Sequence, residues 1–118
     1  MVNYREERLN RVFAALSDPT RRAILARLAR EVTLSVSDLA EPFPIKLPAV
    51  MKHLEVLSEV GLIHRSKTGR TVKIKIVGGS MKGAVNWLQR YERFWSNSLD
   101  RLVAYAEAKE REAQEKGR

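Results

Sequence analysis

The chain opens with a helical pattern of apolar positions. Leu9, Val12, Phe13 and Leu16 stand at i, i+3, i+4 and i+7, a spacing that places all four on one face of a helix. The pattern therefore predicts a helix of about 12 residues, over about residues 5–16.

A second helix is predicted from the Asp18-Pro19 pair onward. An aspartate can accept hydrogen bonds from the first backbone N–H groups of a helix, and proline fits the first helical position because no donor is needed there. Ile24, Leu25 and Leu28 then predict its buried face. The arginines of this segment are expected to face water: Arg21, Arg22, Arg27 and Arg30.

A short helix follows. Residues 31–36 are β-branched and polar, so they predict a connector or a very short strand. Ser37 is expected to cap a short helix that runs from Asp38 to about Glu41. The prolines that come next end it, because proline cannot donate to a continuing helix.

A further helix is predicted from near Lys46 to about Ser58. The apolar residues expected to lie in the core are Leu47, Val50, Leu54 and Leu57. Gly61 supplies the left-handed residue that commonly closes a helix. The short helix and this one predict a helix-turn-helix over about residues 37–58.

A hairpin is predicted next, over about residues 62–77. Two β-patterned segments flank a turn that contains Gly69. In the second segment apolar residues alternate with lysines, so one face is expected to pack while the other is cationic. A helix-turn-helix followed by a two-stranded hairpin is a winged helix.

The last predicted helix covers about residues 81–110. Its apolar positions step by three or four and are Met81, Ala84, Leu88, Tyr91, Trp95, Leu99, Leu102 and Ala106. A helix of some 30 residues spans about 45 Å, which is longer than the surface that the rest of so small a domain can pack against it. The apolar face therefore predicts a partner, most simply a second copy, although it could also be core within one chain.

Taken together, the pattern predicts one domain over residues 1–118. The expected fold is mainly α with a small β-hairpin: a winged helix-turn-helix with a long C-terminal dimerisation helix. The 118 residues contain no cysteine and two histidines, which excludes disulfides and thiolate metal sites. No phosphate loop, serine elbow or zinc-protease motif is present. We therefore expect no enzyme, no cofactor and no metal.

The chain is also expected to be cytoplasmic and to bind a polyanion. It has no apolar run of the roughly 20 residues that a membrane span needs, and its first residues lack the apolar core of a signal peptide. Its formal net charge is +8. Residues 31–45 carry three acidic and no basic residues, whereas residues 46–75 carry seven basic and two acidic residues, net +5. This position of the charge favours nucleic acid.

The predicted DNA-binding residues lie on one helix and on the wing. The helix that begins near Lys46 would enter the major groove, and the residues that it would present are Lys46, Pro48, Ala49, Met51, Lys52 and His53. The wing would contact the phosphate backbone through Arg65, Lys67, Arg70 and Lys73. The leading hypothesis is a sequence-specific regulator of double-stranded DNA. The alternative is a winged-helix interaction module that binds protein or structured RNA.

Four segments in this order resemble the ArsR/SmtB-type bacterial transcriptional regulators. They are residues 15–28, 36–40, 47–57 and 61–63, and the resemblance covers about residues 10–77. It implies a homodimeric winged-helix repressor on an imperfect palindrome, with the first and last helices forming the dimer. The interface residues then expected are Leu9, Val12, Phe13, Leu88, Tyr91, Trp95, Leu99 and Leu102.

The departures from that family point to its metal-independent branch. Ser35 and Ser37 stand where many members carry a metal-binding cysteine pair, and the last helix contains no histidine. Lys46 and Met51 stand where family members commonly carry a small polar residue, which implies different operator contacts. A small-molecule effector is left open, because Trp87, Tyr91, Phe94 and Trp95 could line a pocket, although aromatic residues at this spacing are more often packing.

Overall fold

The structure is a computed structural model that describes residues 3–31 and 33–117. Its elements are, in chain order, α1 (Tyr4–Leu16), α2 (Pro19–Glu31), β1 (Thr33–Ser35), α3 (Val36–Ala40), α4 (Leu47–Glu59), β2 (Ile63–Thr68), β3 (Thr71–Ile76) and α5 (Gly79–Lys116). The mainly α winged helix-turn-helix fold is confirmed. The chain forms two compact units, one that ends at Ala84 and one that begins at Val85 and consists of the rest of α5.

The start of α2 is as predicted, whereas the start of α3 differs. Asp18 Oδ2 accepts a hydrogen bond from the backbone N–H of Arg21 at 3.0 Å, and this bond is the main reason that the pKa of the Asp18 carboxyl lies below its ordinary value. At α3 the capping residue is Ser35, whose hydroxyl accepts from the backbone N–H of Asp38 at 3.1 Å. The prediction that Ser37 caps this helix is wrong, because α3 begins at Val36.

The sheet has three antiparallel strands in the order β1-β3-β2. Residues 33–35 form the short strand that was one of two alternatives, and they pair with β3. The turn that contains Gly69 is tight, because β2 continues to Thr68 and β3 begins at Thr71. Only Gly69 and Arg70 remain in the loop, and Gly69 adopts the left-handed φ of +62° that such tight hairpins require.

The core lies in the first unit and includes the predicted buried residues of α2, with further residues from α1, α3, α4, β3 and the segment between α4 and β2. Its largest fully buried side chains are Ile24, Leu28, Leu39, Leu54, Leu57, Leu62, Ile74, Val12 and Val50. Gly61 follows α4 with a φ of +76°, as predicted. A Cβ at Gly61 would also lie 2.6 Å from Ser80 Oγ, so both the backbone conformation and the available space favour glycine there.

Helix α5 is longer than the sequence predicts. It begins at Gly79 rather than Met81, so Ser80 lies inside the helix and does not cap it. It ends at Lys116 and contains 38 residues, because its final turns are rich in alanine and in charged residues that form helices well. One ion pair there joins Lys109 Nζ to Glu112 Oε2 at 3.7 Å. No helix in the described part of the chain is long and apolar enough to span a membrane.

Candidate nucleic-acid interface

Helix α4 carries one buried face and one exposed face. Val50, Leu54 and Leu57 are fully buried, as predicted. Leu47 was expected to join them, but it is 51% exposed, because the first turn of α4 extends beyond the core. Among the predicted DNA-binding residues, Lys46, Pro48 and Lys52 are exposed, whereas Ala49, Met51 and His53 are half-buried.

The start of α4 lacks a side-chain cap. Lys46 occupies the capping position and its side chain makes no capping hydrogen bond. The backbone carbonyl of Lys46 instead accepts from the N–H groups of Ala49 at 3.0 Å and Val50 at 3.2 Å. Pro48 has no N–H group to satisfy. The Lys46 side chain is therefore not needed to complete the helix and is available for another partner.

Arg27 joins α2 to the end of α3. Its Nη1 donates to the carbonyl oxygens of Asp38 at 2.6 Å and Leu39 at 3.0 Å, which lie in the last turn of α3, where carbonyls lack helical partners. Its Nε donates to Glu31 at 3.1 Å. The prediction that Arg27 faces water is wrong, because this half-buried side chain fixes the first helix of the helix-turn-helix.

Arg21 makes a similar connection between three helices. Its Nε donates to the carbonyl of Ala15 at 2.7 Å and its Nη2 to that of Ala14 at 3.3 Å, both in the last turn of α1. Its Nη1 lies 3.3 Å from Nδ1 of His53 on α4. The same Nδ1 lies 3.8 Å from Asp18 Oδ2. The prediction that Arg21 faces water is therefore also wrong, because its side chain is half-buried. We name Asp18, Arg21 and His53 the Arg21 cluster.

Arg22 and Arg30 complete the predicted set of α2 arginines. Both are exposed, as expected, and Arg22 Nη1 donates to the carbonyl of Leu16 at 2.7 Å. The sequence contained a signal for the roles of Arg21 and Arg22 that the prediction missed. No residue in the last turn of α1 is basic, so carbonyls at its end need donors from elsewhere, and the arginines that follow are the nearest supply.

The wing presents cations on both of its sides. Arg65 pairs with Ile74 and Lys67 with Val72, and opposed residues of an antiparallel pair share a face, so these two cations lie on the side that carries the core residues. Lys73 pairs with Ser66 and lies on the other side. Arg70 lies in the loop at the tip. All four side chains are exposed.

The outer side of the sheet is polar throughout. Lys73 and Lys75 are exposed there, while Ile74 between them is fully buried. The prediction that one face of this strand packs and the other is cationic is confirmed.

Known proteins share the helix-turn-helix part of this chain. The helix-turn-helix domain family matches residues 16–66. The transcriptional repressor SdpR of Bacillus subtilis is 31% identical to this chain over 91 residues, which are 77% of this chain and 100% of that protein. The HTH-type transcriptional regulator Rv2034 of Mycobacterium tuberculosis is 34% identical over 99 residues, which are 84% of this chain and 87% of that protein.

A solved structure agrees with these relatives. The crystal structure of an ArsR family transcriptional regulator is 41% identical to this chain, with a TM-score of 0.71, and the match covers 81% of this chain and 97% of that one. The chain belongs to the ArsR family. ArsR-family membership confirms the predicted DNA-binding transcriptional regulator. It also makes the chain a regulator rather than an enzyme.

Ser35 and Ser37 of this ArsR-family chain do not fit a metal centre. Ser35 Oγ already accepts the capping hydrogen bond of α3, and hydroxyls are poor ligands for thiophilic metals. Ser37 is exposed beside it. Within residues 3–31 and 33–117, no three histidine, aspartate or glutamate side chains are grouped in a way that could hold a metal ion.

Helix α5 exposes a continuous apolar stripe. We name the five residues Leu88, Tyr91, Trp95, Leu99 and Leu102 the α5 stripe, and each is exposed. An open groove of about 460 Å³ lies beside the first three of them. Of the interface residues predicted on α1, Leu9 and Phe13 are half-buried, whereas Val12 is 1% exposed and belongs to the core. Val12 therefore has no surface left to offer a second copy.

Proposed function

We propose that this ArsR-family protein is a cytoplasmic repressor that binds a palindromic operator as a homodimer. The observation that carries the proposal is the pair of exposed cations, Lys46 and Lys52, on a helix whose opposite face is fully buried. The name of the repressor SdpR supports the direction of regulation. The cytoplasm is the proposed location because the DNA to be bound lies there.

Helix α4 is the proposed reader of the major groove. Lys46 and Lys52 can donate to phosphates or to the O6 and N7 acceptors of guanine. Met51 can contact a thymine methyl group, while Pro48 and Ala49 let the start of the helix approach the bases closely. His53 lies one residue beyond Lys52, but its Nδ1 lies near Arg21 and Asp18, and its role is developed in the next subsection.

The wing is the proposed contact to the phosphate backbone. Because its cations lie on both sides and at the tip, a hairpin that enters a groove tip first can reach the phosphates of both strands. The minor groove is about 6 Å wide, so the two strands are close enough for Lys67 on one side, Lys73 on the other and Arg70 at the tip. Arg65 lies further from the tip, on the side of Lys67.

The α5 stripe is the proposed core of the homodimer, together with Leu9 and Phe13 of α1. Exposed apolar surface of this extent is uncommon on a monomer and typically marks an interface. A two-fold axis would place two copies of α4 about 34–36 Å apart, one turn of DNA, which is why the expected operator is a palindrome. A second copy that covers the stripe would also cover the groove beside it.

Fluorescence anisotropy with the DNA upstream of the protein's own gene tests the operator. We expect nanomolar-range binding, a steep dependence on salt and a clear preference over a random duplex. Equal affinity for the two duplexes would contradict a sequence-specific repressor. Stronger binding to a structured RNA would favour the interaction module instead.

Two lysine variants distinguish contacts to bases from contacts to the phosphate backbone. Lys52→Ala should weaken operator binding by about 1–3 kcal/mol if Lys52 contacts a base, and should weaken random duplexes less. Lys73→Ala should weaken all duplexes alike and lower the salt slope by about 1. Lys116→Ala on α5 removes the same charge outside the proposed contacts and is the matched control. If neither Lys52→Ala nor Lys73→Ala changes binding, the proposed placement of α4 in the major groove and of the wing on the phosphate backbone is wrong.

A reporter driven by the same upstream DNA tests the direction of regulation. Deleting the gene should raise reporter expression, and supplying the intact chain should lower it again. Expression that falls on deletion would instead identify an activator.

A further inference from the structure

The Arg21 cluster lies where the recognition helix α4 meets the junction of α1 and α2. Arg21 holds the last-turn carbonyls of α1 with Nε and Nη2 and approaches His53 of α4 with Nη1. Asp18 fixes the start of the helix that carries Arg21, through its 3.0 Å hydrogen bond to the Arg21 backbone N–H. The His53 side chain thus brings a polar atom of α4 within hydrogen-bonding distance of Arg21 at this junction.

The chemistry of the contact defines what His53 does. Nδ1 can accept from the Arg21 guanidinium only in the neutral tautomer that carries its proton on Nε2. A guanidinium keeps its proton in proteins and cannot accept, so a hydrogen bond across this 3.3 Å contact has Arg21 as its donor and His53 Nδ1 as its acceptor. The His53 side chain is 22% exposed, which leaves it less available to DNA than the exposed Lys52 beside it.

We propose that His53 is a positioning residue that fixes the rotation of α4 through Arg21, and so contributes to operator recognition without contacting DNA. The inference rests on the proposed placement of α4 in the major groove. Side chains reach about 5 Å from a helix axis, so a rotation of about 10° moves their ends by about 1 Å. Donor–acceptor distances to bases must fall within a range of about 0.5 Å, so such a rotation would break base contacts while leaving phosphate attraction in place.

Three substitutions of His53 distinguish positioning from direct contact. The probes are the duplex that the wild-type chain enriches from a randomised pool and a scrambled duplex of the same composition. His53→Ala should lower the ratio of the two affinities about three- to tenfold, the worth of one hydrogen bond, with scrambled-duplex affinity and salt slope unchanged. His53→Asn should restore the ratio, because its Oδ1 can replace Nδ1 as the acceptor. His53→Gln should restore it less, because its amide reaches towards the place of Nε2.

Direct phosphate contact by His53 would give the reverse pattern. Both duplexes would then weaken together in His53→Ala, the salt slope would fall by about 1, and His53→Gln would be the better replacement. That result would overturn the inference while leaving the proposed function intact. A wild-type chain that enriches no sequence from the pool would overturn both.

Arg21 provides an independent check. Arg21→Ala should lower the affinity ratio, and adding His53→Ala to it should cause no further loss, because both substitutions break the same contact. Thermal unfolding of each variant shows whether it is folded at the assay temperature. A general loss of stability would reduce the active fraction for both duplexes equally, so the ratio reports only on positioning. Fully additive losses from the two substitutions would also overturn the inference.

Discussion

Trp95→Ala is the substitution that we expect to separate two copies of the chain. Trp95 is 60% exposed and lies in the middle of the α5 stripe. Its ring is in an edge-on contact with Phe94, with centroids 5.5 Å apart. This contact exists within one chain and so contributes equally to monomer and dimer. The effect of the substitution on association therefore comes from the exposed part of the ring.

The magnitude follows from that exposed area. A tryptophan side chain offers up to about 250 Å², so 60% of it is roughly 150 Å². At about 25 cal/mol per Å², complete cover by a partner is worth about 4 kcal/mol for each copy. A two-fold dimer contains the residue twice, so cover of only half the exposed area still gives about 4 kcal/mol in total. Trp95→Ala should then raise the dimer Kd on the order of a thousandfold.

Sedimentation velocity at micromolar concentrations measures the effect. The wild-type chain should sediment at about twice 13.5 kDa and Trp95→Ala at 13.5 kDa. Arg93→Ala is the matched control, because a position two residues away lies about 200° around the helix, and it should leave the dimer intact. A wild-type chain that stays at 13.5 kDa, or a Trp95→Ala dimer with an unchanged Kd, would refute the reasoning.

Three further predictions concern stability. Leu54→Ala should lower the free energy of unfolding by about 2–5 kcal/mol, because Leu54 is fully buried. Leu47→Ala in the same helix should change it by less than about 0.5 kcal/mol, because Leu47 is exposed. Equal losses for the two variants in urea titrations would mean that Leu47 belongs to the core. Gly69→Ala should destabilise the chain by about 1–2 kcal/mol, because the φ of Gly69 is +62°. Gly83→Ala should stabilise it by about 0.5–1 kcal/mol, because Gly83 lies inside α5 and an added Cβ would have nothing within 4 Å. Tm values that shift in the same direction for both variants would contradict the assigned turn at Gly69. Asp18 has a pKa below its ordinary 3.8 in the folded chain, so its charge contributes fully above pH 3.8 and less as the pH falls through the folded value. Acid titrations of unfolding should therefore show the advantage of wild type over Asp18→Asn shrinking below pH 3.8, and an advantage independent of pH would be inconsistent with that shift.

Local signals were enough to predict the helices and the hairpin. Helix α2 has an aspartate cap, a proline at its first position and a regular apolar face, and all three point to the same start. The alternation of β3 likewise agrees with its burial. The prediction of Ser37 rather than Ser35 as the cap of α3 failed because pairing of β1 with β3 determines where the strand ends and the helix begins.

The depth of a side chain and its distant partners could not be predicted. Periodicity assigns Leu47 to the apolar face of α4 but does not say that the core ends before the first turn. Arg27 reaches carbonyls 11 and 12 residues further along the chain, and His53 contacts Arg21 across 32 residues. Such contacts depend on how the helices pack, so the sequence suggested solvent for Arg21 and Arg27 and did not indicate the contact between His53 and Arg21.

The missing cap at the start of α4 implies a conflict between stability and affinity. Serine, aspartate or asparagine in place of Lys46 would accept a hydrogen bond from the first turn and stabilise the helix by about 1 kcal/mol. The chain instead carries a cation that contributes no cap but stands at the proposed DNA surface. Selection for thermal stability alone would be expected to replace Lys46, and selection for repression to retain it. Laboratory evolution under each pressure would therefore be expected to diverge at this position.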